Sequence, residues 1–364
     1  MRRIRTGVVG YGLGGRVFHA PFVSAVSQLE LTAIVQRTGD SARAAYPEVP
    51  LLRSFEELLQ SDVELVCITT PSNTHYELSK QALLAGKHVV CDKPVTVTSA
   101  QAADLEATAQ AKGVFMFPFQ NRRWDGDFLT LRSLMESGRI GRTVTLDSRF
   151  DRYRPLQKPG AWRDDEDGGG LLYDIGPHLI DQAVALFGTP DRVWANVRRD
   201  RDVQGNTPDA FDLHLWFTGA DGREITVRTG STVLAVNAGP RYRLQGTAGS
   251  YVKFGLDPQE PAIVAGAKVP HMESAEPWLD EQESAWGTLT VAPDPAEPAK
   301  VEQSQLQTQR GDYRGFYSNV AETILGKAEQ AVSARAAFHV ARIIELALQS
   351  ERTGQVVAID RATW

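Results

Sequence analysis

Apolar residues in the first third of the chain fall into short unbroken runs, each followed by a polar turn and then a stretch with helical spacing. The runs at residues 7–9, 31–35, 51–53, 65–69, 88–91 and 114–117 predict six strands buried on both faces, the pattern of a parallel sheet. The intervening stretches predict helices. One runs through Val17, Phe18, Phe22 and Val26, and one opens on Ser54 and Glu57 and ends near Gln60. Another is capped by Ser72 or Asn73 and runs to Gly86, and a further one opens on Thr98 and Gln101 and stops at Gly113. Strand and helix alternate with short crossovers and close near Gln120, the order of a doubly wound, Rossmann-type sheet.

The pattern changes from Asn121 onward, where apolar and polar residues alternate along longer segments. Residues 143–150, 192–197, 211–217, 224–229, 241–245 and 251–254 predict strands with few helices between them. That reading gives one large, mostly antiparallel open sheet, whose apolar face is free for a helix layer or another subunit. Residues 258–309, rich in Pro, Glu, Ala and Gln, read as an irregular excursion, and helices return at 316–325 and 335–348. A chain of 364 residues exceeds one hydrophobic core. The expectation is therefore an α/β protein with a dinucleotide-binding domain over residues 1–121 and an α/β substrate-binding and oligomerisation domain over 122–364.

Composition narrows the function classes. The formal charge of −6, from 39 basic and 45 acidic residues, argues against a nucleic-acid or membrane-surface partner. Apolar runs fall well short of a membrane span. Cys67 and Cys91 lie inside apolar runs and read as buried free thiols of a reducing compartment, so a cytoplasmic location is expected. The basic opening is followed by a glycine-rich strand and not by a signal-peptide core.

Between the first strand and first helix lies Gly10-Tyr11-Gly12-Leu13-Gly14-Gly15, with the dinucleotide spacing Gly10-x-Gly12-x-x-Gly15. Gly10 permits the tight turn, Gly12 lets backbone amides approach a pyrophosphate, and Gly15 lets the helix lie close on the sheet. The alternative is an ordinary strand-to-helix turn. The second strand ends Gln36-Arg37-Thr38, and the nearest acid, Asp40, comes later. Arg37 suits a 2′-phosphate and Thr38 adds a hydroxyl, which favours NADP over NAD, unless Arg37 is a solvated loop arginine.

Ligands of such sheets bind at the carboxyl ends of the strands. After the fourth strand come Thr70, Pro71, Ser72, Asn73 and His75, suited to a ribose and phosphates or simply to capping a helix. After the fifth come Asp92, Lys93 and Pro94, where a lysine fixed by a proline points into the crevice or into solvent. Further on, Gly168-Gly169-Gly170 precedes Asp174 and His178, four apart, which a helix would stack as a carboxylate-oriented general base. The competing reading is a core histidine beside a capping aspartate. A metal is not expected, because the neighbouring acids and histidines form no clear ligand set.

Taken together, Gly10-x-Gly12-x-x-Gly15, Thr70-Pro71, Asp92-Lys93-Pro94 and Gly168-Gly169-Gly170 with Asp174 and His178 resemble the GFO/IDH/MocA oxidoreductase family over nearly the whole chain. The stretches Arg16-Val17-Phe18-His19, Asn121-Arg122-Arg123-Trp124-Asp125 and Tyr153-Arg154-Pro155 resemble its NADP-dependent scyllo-inositol dehydrogenase branch. The resemblance implies hydride transfer between a nicotinamide and a hydroxyl-bearing carbon of a polyol or sugar, in a homodimer or homotetramer built through the second domain's sheet. It implies Lys93, Asp174 and His178 as catalytic residues. Asp92 replaces the family's usual glutamate and is one methylene shorter. Tyr153, Arg154, Trp162 and His178 are expected at the substrate, and Arg163 at the cofactor. Two relatives of the same fold remain as alternatives, a regulator that binds the nucleotide without turnover and an NAD-dependent glycosidase.

Overall fold

A computed structural model of the chain describes residues 2–157, 168–203, 207–276, 278–294 and 296–364. The chain divides into two compact units. The first comprises Met1–Trp124, Pro258–Asp280 and Asp312–Phe338; the second comprises Asp125–Asp257, Glu281–Gly311 and His339–Trp364. The first unit thus holds two late segments beyond the expected 1–121.

Six parallel strands form the sheet of the first unit: β1 (Ile4–Val9), β2 (Leu29–Val35), β3 (Leu51–Leu52), β4 (Leu65–Ile68), β5 (His88–Cys91) and β6 (Met116–Pro118). Their order is β3-β2-β1-β4-β5-β6, the doubly wound arrangement whose switch point lies between β1 and β4. Val8, Cys67, Val90 and Phe117 pack on one face and Val9, Val66, Ile68 and Val89 on the other, which is why these strands read as continuous apolar runs. The first face is completed by Tyr313, Phe316, Tyr317 and Val320, from the helix Arg314–Ile324 and the residue before it, and by Trp278.

Local signals were realised with informative exceptions. Thr98 and Gln101 form a complete capping box over the helix Ser99–Lys112, ended by Gly113 at φ 65°. Ser54 caps the helix Phe55–Gln60, but Glu57 turns its carboxylate back to the amide of Arg53. The helix after β4 starts at His75, behind a short 3₁₀ turn over Ser72–Thr74, with no side-chain cap from Ser72 or Asn73. The first helix is not regular either: Gly14–His19 is a π-helical turn, and α-helix follows only over Ala20–Ala25. Pro21 explains it, since a proline has no N–H for the ladder and its ring clashes with the carbonyl four residues back.

Among the described residues the second unit holds nine strands: β7 (Thr143–Arg149), β8 (Arg192–Arg198), β9 (Ala210–Thr218), β10 (Glu224–Thr232), β11 (Tyr242–Gly246), β12 (Gly249–Lys253), β13 (Gly287–Val291), β14 (Glu302–Leu306) and β15 (Val357–Ala358). They run β14-β13-β12-β11-β7-β10-β9-β8-β15; β7 and β10 pair in parallel, and the other neighbours in this order pair antiparallel. Residues 258–309 are therefore not an irregular excursion. They carry a helix, Gln259–Val264, and the edge strands β13 and β14. The apolar face of this sheet carries the helix layer, the first of the two expected covers: Phe211, Leu213, Leu215 and Phe217 of β9 share a core with Leu179, Ile180, Ile343 and Ile344 from helices. The alternate β9 residues carry Asp212, His214 and Trp216, with Asp212 held by Arg149 and Arg198 at 2.7 Å each.

Candidate functional site

The glycine turn follows β1 and lies at the switch point. Gly10 has φ 97°, a conformation that side-chain-bearing residues rarely adopt. A Cβ on Gly15 would stand 2.1 Å from the Gly10 carbonyl oxygen, so only glycine lets the helix begin this close to the strand. Thr69, at the end of β4, fastens the turn by donating its hydroxyl to the carbonyls of Val9 and Gly10, 3.1 and 2.9 Å away. Gly12 differs from both: among the described residues, a Cβ there would meet nothing within 4 Å. The chain's own packing thus gives no reason for a glycine at 12, whereas close approach of a ligand to its backbone does.

Beside this turn lies the end of β5. The Asp92 carboxylate accepts from the backbone N–H of Lys93 at 2.8 Å through Oδ1. Its Oδ2 is so close to Gly14 that a Cβ there would sit 2.9 Å away. Oδ2 also faces His19 Nε2 at 3.8 Å. Burial alone would raise the Asp92 carboxyl, but His19, Lys93 and His75 outweigh it and hold it down at about 2. Lys93, half-buried, follows it and precedes a cis peptide bond to Pro94.

His75 was expected beside a ribose or phosphate, but it is buried within the first unit. Its Nδ1 lies 2.7 Å from the Pro94 carbonyl oxygen and its Nε2 2.8 Å from that of Thr70. Both acceptors offer lone pairs only, so the geometry suits a doubly protonated imidazolium. Burial opposes that charge, yet Cys91, Asp92 and the Pro94 carbonyl raise the imidazole to about 9. His75 therefore clasps the loops after β4 and β5 together.

The other candidate residues of the first unit differ in exposure. Tyr11 is buried in the turn, edge-on to Tyr46 at 6.3 Å, while Leu13 is exposed. Ser72 is buried; Pro71 and Asn73 are exposed; the Thr70 hydroxyl meets that of Thr74 at 2.6 Å. Arg37 and Thr38 are exposed after β2. Arg53, which sequence reasoning missed, ties this loop down. It donates to the carbonyls of Gln36 and Gly39 at 3.0 and 2.7 Å and to the Asp40 carboxylate at 2.6 Å. Asp40 thus already has a cation.

Asp174 and His178 belong to the second unit. They do not share one helix: Leu171–Asp174 ends at Ile175, and Gly176–Phe187 starts afresh. Pro177 accounts for the break, because its ring excludes a continuous helix through the carbonyl of Tyr173. His178 is buried in the first turn of the second helix, and Asp174 is half-buried at the end of the first. Gly170, at φ 82°, lies where a Cβ would stand 2.6 Å from the Pro208 carbonyl oxygen, so this glycine serves the second unit's own packing. Tyr153 and Arg154 are exposed after β7, with the Arg154 amide donating to Val233 at 2.7 Å. Trp162 and Arg163 lie outside the described residues.

Comparison with known proteins decides the family. Residues 4–119 match the oxidoreductase family's NAD-binding Rossmann fold, and residues 132–359 match its C-terminal alpha/beta domain. The chain belongs to the GFO/IDH/MocA oxidoreductase family. An uncharacterized oxidoreductase of Schizosaccharomyces pombe, C115.03, is 38% identical, with 99% of this chain and 100% of the relative covered. The scyllo-inositol 2-dehydrogenase (NADP(+)) IolW of Bacillus subtilis is 34% identical over 98% of this chain and 96% of its own length. Among solved structures, the putative oxidoreductase yvaA of Bacillus subtilis superposes with TM-score 0.91 at 33% identity, covering 99% of both chains. This family member is an NAD(P)-dependent oxidoreductase with an inositol dehydrogenase among its relatives. Among the described residues, no helix is long and apolar enough to cross a membrane.

Proposed function

We propose that the protein moves a hydride between NADP(H) and a hydroxyl- or keto-bearing carbon of a cyclic polyol or sugar of inositol type. The observation that carries this reading is the pairing of two features in the first unit. A glycine turn has a Gly12 the protein itself does not require, and Asp92-Lys93 stands at the adjoining strand end. The donor set fits a nicotinamide nucleotide. Backbone amides of the turn suit the pyrophosphate, Asp92 suits a ribose hydroxyl, and Thr70, Pro71, Ser72 and Asn73 border the same strand ends. The bound nucleotide supplies the hydride acceptor or donor.

The protein's own residues manage the proton. His178, oriented by Asp174, is the base that takes the hydroxyl proton, and Lys93 is the hydrogen-bond donor that stabilises developing charge or relays a proton. Tyr153, Arg154, Trp162 and Arg163 hold the remaining hydroxyls or the carboxamide end of the nucleotide. His75 acts behind the site by fixing the two loops. Preference for NADP rests on Arg37 and Thr38 with no unpaired acid beside them, since Arg53 already neutralises Asp40. We extend the assembly reading to the second unit: the face of its sheet bearing Trp194, His214 and Trp216 meets a second copy in a homodimer or homotetramer located in the cytoplasm.

The test is reduction of NADP followed at 340 nm with a panel of inositols and aldoses, beside the variants Lys93→Ala and His178→Ala. Each variant is expected to lose at least about a hundredfold in turnover while binding NADPH near wild-type strength. Unchanged turnover in both removes the catalytic assignment. Cleavage of a chromogenic glycoside without net NADP reduction replaces the dehydrogenase with a glycosidase. NADPH binding with no turnover on any substrate favours a regulator. Light scattering showing a monomer overturns the assembly reading.

A further inference from the structure

Below the glycine turn, the first unit contains a chain of buried polar groups that the proposed chemistry leaves unused. His19 is fully buried on the π-helical turn, with its ring 4.2 Å from that of Phe119. Its Nδ1 lies 2.6 Å from the hydroxyl of Tyr317, which is also fully buried and reaches Cys67 Sγ at 3.8 Å. Its Nε2 faces Asp92 Oδ2 at 3.8 Å and has no hydrogen-bond partner among the described residues.

The hydroxyl of Tyr317 has one proton, which restricts the imidazole. If that proton goes to Nδ1, the neutral ring carries its own proton on Nε2. If it goes to Cys67, Nδ1–H donates to the tyrosine oxygen. Nε2 must then also be protonated, or a lone pair faces a carboxylate. The tautomer with Nε2–H, accepting at Nδ1 from the tyrosine hydroxyl, aims an N–H at Oδ2 and attracts an ionised Asp92. That attraction runs toward Gly14, where the absence of a Cβ leaves room for the carboxylate.

We propose that His19, clamped by Tyr317, is a positioning residue that draws the Asp92 carboxylate against the glycine turn and so sets the affinity for the ribose of a nicotinamide nucleotide. The inference rests on the nucleotide reading of this site. It also accounts for a short acid at position 92: an aspartate drawn in by the imidazole occupies the space beside Gly14.

The test is fluorescence titration of the full-length protein with NADPH and NADH, combined with a double-mutant cycle. His19→Leu is expected to weaken NADPH binding about fivefold to tenfold, the scale of one lost electrostatic contact between partly buried groups about 4 Å apart. His19→Gln keeps an N–H near the Nε2 position and restores affinity to within about twofold. With Asp92→Asn in place, His19→Leu costs less than about twofold, because its effect passes through the carboxylate. Equal losses in the leucine and glutamine variants overturn the proposal, as does an undiminished loss beside Asp92→Asn. If melting shows that His19→Leu does not fold, Tyr317→Phe, which removes only the hydroxyl, takes its place in the cycle, and additive effects overturn the proposal. Unaltered affinity in Asp92→Asn refutes the positioning role and leaves the nucleotide reading standing. A wild-type protein that binds neither nucleotide refutes both.

Discussion

Two glycines of one turn give opposite expectations when each gains a methyl group. At Gly15 the new Cβ would lie 2.1 Å from the Gly10 carbonyl oxygen and 3.1 Å from both the carbonyl carbon and Thr69 Oγ1. Relief requires about an ångström of movement between β1 and the following helix, in backbone that Thr69 pins to β4. Overpacking of a core costs about 1–3 kcal/mol, and a backbone clash belongs at the upper end. For a unit of this size that lowers the melting temperature by roughly 5–10 °C. At Gly12 the new Cβ meets nothing within 4 Å among the described residues, and the residue is not in the left-handed region. Gly12→Ala therefore leaves stability unchanged or raises it by about 0.5 kcal/mol through the less flexible unfolded chain. Yet it places a methyl group where the pyrophosphate approaches, so NADPH affinity falls at least about tenfold. The assay pairs thermal melting of each apo variant with NADPH titration. Wild-type affinity in Gly12→Ala would refute the claim that a ligand explains this glycine. A melting loss as large as that of Gly15→Ala would show that packing explains it instead.

Other expectations follow from charge and from a second tight contact. Because Asp92 is held at about 2 against an ordinary value of 3.8, its contribution of about 2 kcal/mol is present above pH 4. It is lost as pH falls toward 2, and urea titration of wild type against Asp92→Asn checks this. His75 runs the other way: raised from 6.5 to about 9, it contributes about 3 kcal/mol below pH 6.5 and loses it as pH rises through 9. His75→Gln should flatten that alkaline decline in a urea series from pH 6 to 10. Arg53→Ala frees Asp40, so the ratio of kcat/KM for NADPH over NADH should fall about fivefold in steady-state assays. In the second unit, Gly126→Ala would put a Cβ 2.2 Å from the Gln309 carbonyl oxygen, and circular dichroism melting should show a loss of about 2–3 kcal/mol.

The first sheet was readable because both its faces are buried, so each strand is a contiguous apolar run with turn residues at its ends. Edge strands lack that signature. β14, Glu302–Leu306, is exposed over its first four residues and reads Glu-Gln-Ser-Gln, with no apolar alternation to find. The breaks at Ala20 and Ile175 were legible in principle, since Pro21 and Pro177 stand two residues inside helical patterns. What hid them was the strength of the surrounding helical spacing. The glycine turn stands out by its spacing between a strand and a helix, and Asp92-Lys93 by its place after the fifth strand and before a proline. His19 was quoted only within a resembling stretch, although a histidine four residues after Gly15 falls on the apolar face with Val23. Its partners could not be read locally: Asp92 and Tyr317 lie 73 and 298 residues away along the chain.

That distance has a consequence for what constitutes the first unit. Its core includes Trp278, Tyr313, Phe316, Tyr317 and Val320, all nearly or completely buried, none of them within residues 1–124. Each such side chain contributes about 1.5–3 kcal/mol by burial, so the five together amount to roughly 10 kcal/mol. That equals the whole stability of an ordinary domain, about 5–15 kcal/mol. A fragment ending at Trp124 would leave one face of the sheet uncovered and His19 and Cys67 without the Tyr317 hydroxyl. It should therefore be insoluble or should expose enough apolar surface to bind a hydrophobic dye. A soluble fragment with a cooperative melt and full NADPH affinity would show that the late segments merely decorate a self-sufficient sheet. The unit's sequence boundary would then lie where strand–helix alternation ends, and the buried path from Cys67 to Asp92 would be dispensable.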